Sequence, residues 1–191
     1  MKKEFAMIKA LPTPIQNMLS TGLIFMYTAN VQGTMADLII AKKYPDLKRK
    51  FVATPKIVPK DYLKKRCKYW EKQFGSVKNE FVEIFSEELS PEEVGRITKI
   101  HHLRNMIAHA HVSHGRDYMM YRPHGGEKLE QKLIEDLGIQ LSDEAAEPML
   151  LKIELWKEDE FQAVSNLISS ITEDTFVRLA NNLGVPIGQI S

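Results

Sequence analysis

Arg104, Asn105 and His109 are the residues of this 191-residue chain whose types and spacing best suit a common chemistry. An arginine keeps its charge and grips a phosphate through two parallel hydrogen bonds. A histidine titrates near neutrality and can give or take a proton. An asparagine can hold either one in place. On a helix, residues 105 and 109 are four apart and share a face. Arg104 lies to one side, and its long stem can reach back over the same patch. All six histidines of the chain lie between His101 and His124, a concentration that a structural helix does not need. Without any chemistry, the same residues read as a polar helix end facing water, with His109 near the negative end of the helix dipole.

The elements that must position this group are legible around it. Ser90-Pro91-Glu92-Glu93 is a strong helix start: Ser90 caps, Pro91 takes the first position and Glu93 closes a capping box. The helix so begun is expected to run to about Val112, with Ser113-His114-Gly115 as its stop. Three further helices are expected. The first runs from about Pro14 to Tyr44, started by Thr13-Pro14 and ended by Pro45. Its core face is expected at Ile15, Met18, Leu19, Phe25, Met26, Ala29, Ala36, Ile39 and Ile40. Gly22, Ala29, Gly33 and Ala36 thin one side, so another helix could approach closely there. The second is expected over Pro59 to Leu89 and the last over about Glu158 to Asn182, closed by Gly184-Val185-Pro186. Alternating residues at 117–122 and 149–156 predict two paired strands, with a short helix at Glu127 to Leu137 between them. The fold class expected is therefore mainly α, a helical bundle of four main helices with a small two-stranded β excursion over about 117–156. It forms one domain over 1–191, with an N-terminal arm over about 1–13.

Arg104-Asn105-Met106-Ile107-Ala108-His109 resembles the Arg-Asn-x-x-x-His signature of the HEPN superfamily. Its members are small α-helical proteins, and many are metal-independent endoribonucleases. The resemblance implies cleavage of RNA by attack of a 2′-hydroxyl on the adjacent phosphate. Arg104 would stabilise the phosphate, His109 would transfer the proton and Asn105 would orient one or the other. One motif offers a single histidine, whereas the reaction needs both a base and an acid. A homodimer with a shared site would supply the second. Some toxin members carry a tyrosine two residues past the histidine as the site of neutralising modification. Here that residue is His111, so control by that route is not expected. Other members are inactive dimerisation or interaction modules, which is the alternative reading, with an antitoxin or defence protein as partner.

Composition narrows the field. Hydrophobic residues are 43% and charged residues 27%, an ordinary globular balance. A net charge of +1 exerts no general pull on nucleic acid, so contact with RNA must come from a local patch. Lys60, Lys64, Lys65, Arg66, Lys68 and Lys72 offer one, as an RNA-backbone track or as a solvated helix face. The lone Cys67 excludes an internal disulfide framework and fits a reducing cytoplasm. Leu11 to Ala36 carries no charge, but Gln16, Asn17, Asn30 and Gln32 would be expensive in hydrocarbon, so no membrane span is expected. His109-x-His111-x-x-His114 raises a metal site, yet Asp117 is the one carboxylate between Lys99 and Glu127. No metal or other cofactor is expected.

Overall fold

The computed structural model describes residues 7, 10–48, 58–112, 119–121, 135, 151–153 and 158–185. These are mainly helical, in six main helices. They are α1 (Thr13–Lys43), α2 (Lys60–Trp70), α3 (Phe74–Ile84), α4 (Pro91–His109), α5 (Glu158–Ser169) and α6 (Val177–Leu183), with a π-helical turn, Ser170–Phe176, between the last two. Three short segments, His111–Val112, Met119–Tyr121 and Leu151–Ile153, pair antiparallel in that order. Most of the expected excursion, including nearly all of Glu127 to Leu137, lies outside the described residues, as do Ser113-His114-Gly115 and most of the N-terminal arm.

The second expected helix is two. Glu71 N–H still bonds back to Cys67, but Lys72 N–H tightens onto Tyr69, and Gln73 is extended (φ −64°, ψ 149°). The break lets Lys72 Nζ meet Glu80 at 2.7 Å and starts α3 on the buried Phe74. The helix carrying the signature ends at His109 rather than near Val112, because His111–Val112 joins the backbone pairing instead.

The chain forms two compact units, Met1–Tyr27 with His102–Leu167, and Thr28–His101 with Ile168–Ser191. In the second, Val31, Met35, Leu38 and Ile39 of α1, Phe74, Val77 and Phe81 of α3, Ile97 and Ile100 of α4, and Phe176 and Leu179 are all buried. Phe81 stands 4.8 Å from Phe85 and meets Phe176 edge-on at 5.7 Å. The capping box at the start of α4 is formed: Ser90 N–H donates to Glu93 Oε2 (2.8 Å) and Glu93 N–H to Ser90 Oγ (3.2 Å). Glu93 Oε1 also accepts from Thr175 Oγ1 (2.7 Å) and Arg178 Nη2 (2.8 Å). Burial would push the Glu93 carboxyl up, but these donors outweigh it and hold it below the usual carboxylate range. In the π turn, Thr172 Oγ1 donates to Ile168 O at 3.0 Å, occupying the carbonyl that an α-helix gives to a backbone N–H. Gly184, at φ 65°, ends α6 in the left-handed conformation that favours glycine, returning its N–H to Ala180 and Asn181.

In the first unit the α1 face differs from expectation. Asn17, Ser20 and Ile24 are buried, whereas Ile15, Met18, Leu19, Phe25 and Met26 are exposed. Among the described residues the Asn17 amide and the Ser20 hydroxyl meet no hydrogen-bond partner. Helical spacing identifies an apolar face; it does not say what covers it. By length and composition α1 is also long and apolar enough to cross a membrane, although half of its most apolar window is buried inside the fold.

Asp37 supplies a test of the second unit. It is fully buried, accepts from Tyr62 Oη at 2.8 Å and pairs with Arg66 Nη2 at 3.0 Å. Burial raises its pKa to about 6, against the pull of Tyr62 and Arg66. The folded chain thus keeps a proton that the unfolded chain releases near pH ~4. The stability this contributes is present below that pH and is lost as pH rises towards about 6. The shift corresponds to roughly 3 kcal/mol at one pKa unit per 1.4 kcal/mol. Asp37→Asn removes this dependence while other carboxylates keep theirs. Denaturant unfolding should therefore show wild type losing stability relative to Asp37→Asn between pH 4 and 7. A constant difference across that range would disprove the assignment.

Candidate active site at the end of α4

The last turns of α4 belong to the first unit and are anchored by Leu103, Met106 and Ile107, all buried. This apolar strip at three-four spacing fixes the roll of the helix. Arg104 and Asn105 are left half-buried, and Ala108 and His109 exposed. Arg104 Nη1 donates to Asn105 Oδ1 at 3.4 Å, a long hydrogen bond. The Arg104 guanidinium carbon stands 5.8 Å from the centroid of the Phe25 ring. An aromatic face attracts the cation without neutralising it. No carboxylate pairs with Arg104 among the described residues. The guanidinium is therefore held on two sides, with its charge uncancelled by any of them.

Asn105 contacts Arg104, so its expected orienting role has an observed partner on that side. His109 is the last residue of α4 and is open to solvent. On helical geometry it lies one turn beyond Asn105, about 6 Å further along the axis. Phe25 was not expected here; its place on an apolar stripe argued for core. No feature of the sequence near Arg104 points to it, because the contact is made by a distant stretch of chain.

The other histidines divide. His101, in the second unit, stacks on Phe74 with rings 5.5 Å apart and nearly parallel. A side chain at Gly75 would reach within 3.1 Å of His101 Nε2, so the glycine is what lets this ring lie flat against α3. His101 is thus a packing residue. His114 and His124 lie outside the described residues.

The basic run on α2 also divides. Arg66 turns to the buried Asp37, and Lys72, with Lys43, serves Glu80, whose carboxyl burial would raise but these donors and Tyr69 hold down at about 2. Lys65 lies over the Tyr44 ring. Lys60, Lys64 and Lys68 remain exposed at four-residue spacing, beside exposed Cys67. Half of the run is committed to the fold, and only three lysines form an outward row.

No known protein family, curated protein or solved structure matches this chain.

Proposed function

We propose that the chain is a HEPN-like, metal-independent endoribonuclease, working in the cytoplasm as a homodimer. The observation that carries the reading is Arg104, braced by Asn105 and Phe25 with its charge uncancelled by them, five residues before an exposed His109 on the same helix end. In the reaction, one His109 takes the proton from an RNA 2′-hydroxyl, and that oxygen bonds to the adjacent phosphorus. The bond from phosphorus to the 5′-oxygen breaks, and the second subunit's copy of the same histidine protonates the leaving oxygen. Arg104 stabilises the charge gathered on the non-bridging oxygens. The products are a 2′,3′-cyclic phosphate and a 5′-hydroxyl. The exposed row Lys60, Lys64 and Lys68 is suited to phosphate contacts. A small β excursion after α4 completes the fold of this reading.

The test is direct. Purified protein should cut single-stranded RNA in the presence of EDTA and leave those termini. An oligonucleotide with a 2′-deoxy sugar at the cut position should stay intact. Cleavage of the deoxy position, or activity abolished by EDTA and restored by zinc or manganese, would defeat the mechanism.

The exposed apolar face of α1 favours a second reading, an inactive dimerisation or interaction module, with an antitoxin or defence protein as its partner. Dimerisation without RNA cleavage would select it.

A further inference from the structure

Seven of the eleven large apolar side chains exposed among the described residues lie between Met7 and Met26. Ile15, Met18, Gly22 and Phe25 follow the three-four spacing of a coiled-coil seam, flanked by Leu19 and Met26. Leu11, Ile15, Met18, Leu19, Phe25 and Met26 are each 38% to 67% exposed. Together they present on the order of 500 Å² of apolar surface, the upper range for the largest patch on a monomer.

Gly22 adds an independent observation. A mid-helix glycine weakens a helix, and a close neighbour usually explains it. Among the described residues nothing lies within 4 Å of where a Cβ at Gly22 would sit. The packing of the described residues therefore does not call for a glycine there.

We infer that this seam is where a second copy of the chain docks, α1 against α1 antiparallel. With Met18 and Leu19 at the crossing, Ile15 of each copy faces Gly22 of the other. Large meets small, and one two-fold axis satisfies both copies. Leu11 to Ala36 carries no charge, so the copies do not repel. A lipid-surface helix would carry basic residues on its polar face, and Leu11 to Ala36 has none. Two copies covering the seam bury on the order of 1,000 Å², the lower bound for a specific interface. Phe25 belongs to the seam and also carries the Arg104 guanidinium, so docking brings each copy's candidate site to the edge of the interface. The seam itself rests on exposure and spacing; its role in completing a shared site rests on the proposed nuclease reading.

Light scattering at micromolar concentration should give twice the 21.9 kDa chain mass. Met18→Glu should give a folded monomer, with helical circular dichroism retained. Gly22→Ala should hold or raise the melting temperature of the monomer, yet weaken the dimer about tenfold or more, a split that a purely structural glycine would not produce. In a Cys67→Ser background, Met18→Cys should cross-link copies through a disulfide, and Ser86→Cys, exposed outside the seam, should not. A monomeric wild type, a dimer indifferent to Met18→Glu, or flotation of wild type with anionic vesicles would overturn the inference. A seam dimer that cuts no RNA leaves the seam standing and removes the nuclease; RNA cleavage by a monomer does the reverse.

Discussion

His109→Ala is expected to lower RNA cleavage on the order of a hundredfold or more, the usual cost of losing a general acid-base group. His109 lies exposed at the tip of α4, so the substitution removes no packing, and its melting temperature should match wild type. RNA binding should persist, because Arg104 and the α2 lysines remain. Arg104→Ala should harm both turnover and phosphate binding. Part of its harm should be recovered by Arg104→Lys in binding but not in rate, since lysine keeps the charge and loses the fork. His114→Ala, outside the signature, should be nearly silent. Stopped-time assays on one labelled RNA decide the matter: equal damage from His109→Ala and His114→Ala would mean that the six-residue resemblance misleads.

Phe81→Ala should produce the largest loss of stability, roughly 3–5 kcal/mol by the usual cost of emptying a buried aromatic site. The ring is fully buried and packs against both Phe85 and Phe176, so neither neighbour can close the gap without leaving the other. Trp70→Ala is the control. Trp70 is larger but 59% exposed, and its contact is the Arg66 guanidinium at 5.4 Å. Its loss should cost about 1 kcal/mol or less. Urea midpoints that rank the two in the opposite order would remove Phe81 from the core of the second unit.

Local chemistry in the sequence located the helix ends well. Thr13-Pro14, Ser90 to Glu93 and Gly184 each announce a terminus through groups that act within a few residues, and the structure uses all three regions as helix ends. The break at 71–73 was illegible because its cause is distant: Lys72 turns to Glu80, and Gln32 Nε2 donates to the Lys72 carbonyl at 3.0 Å. The direction of the first half of α1 was illegible for a related reason. Periodicity at Ile15, Met18 and Phe25 gives a face, while burial of Asn17 and Ser20 depends on what the rest of the chain brings. At the candidate site the chemical residues were readable and their support was not. Asn105 is next to Arg104 in sequence, but Phe25 reaches it only through the fold.

The second unit leaves the chain at His101 and resumes at Ile168, which has a consequence for the order in which it can be made. During synthesis α1, α2, α3 and the start of α4 emerge first. Phe81 must then wait for Phe176, and Glu93 for Thr175 and Arg178. Closing so long an intervening loop costs entropy that local contacts do not repay in advance. Until Val185 has left the ribosome, the nascent chain presents the aromatic face of α3 and an unneutralised Glu93 to the cell. The second unit therefore completes late, and the interval before it does so is when this protein is most open to chaperones and to aggregation.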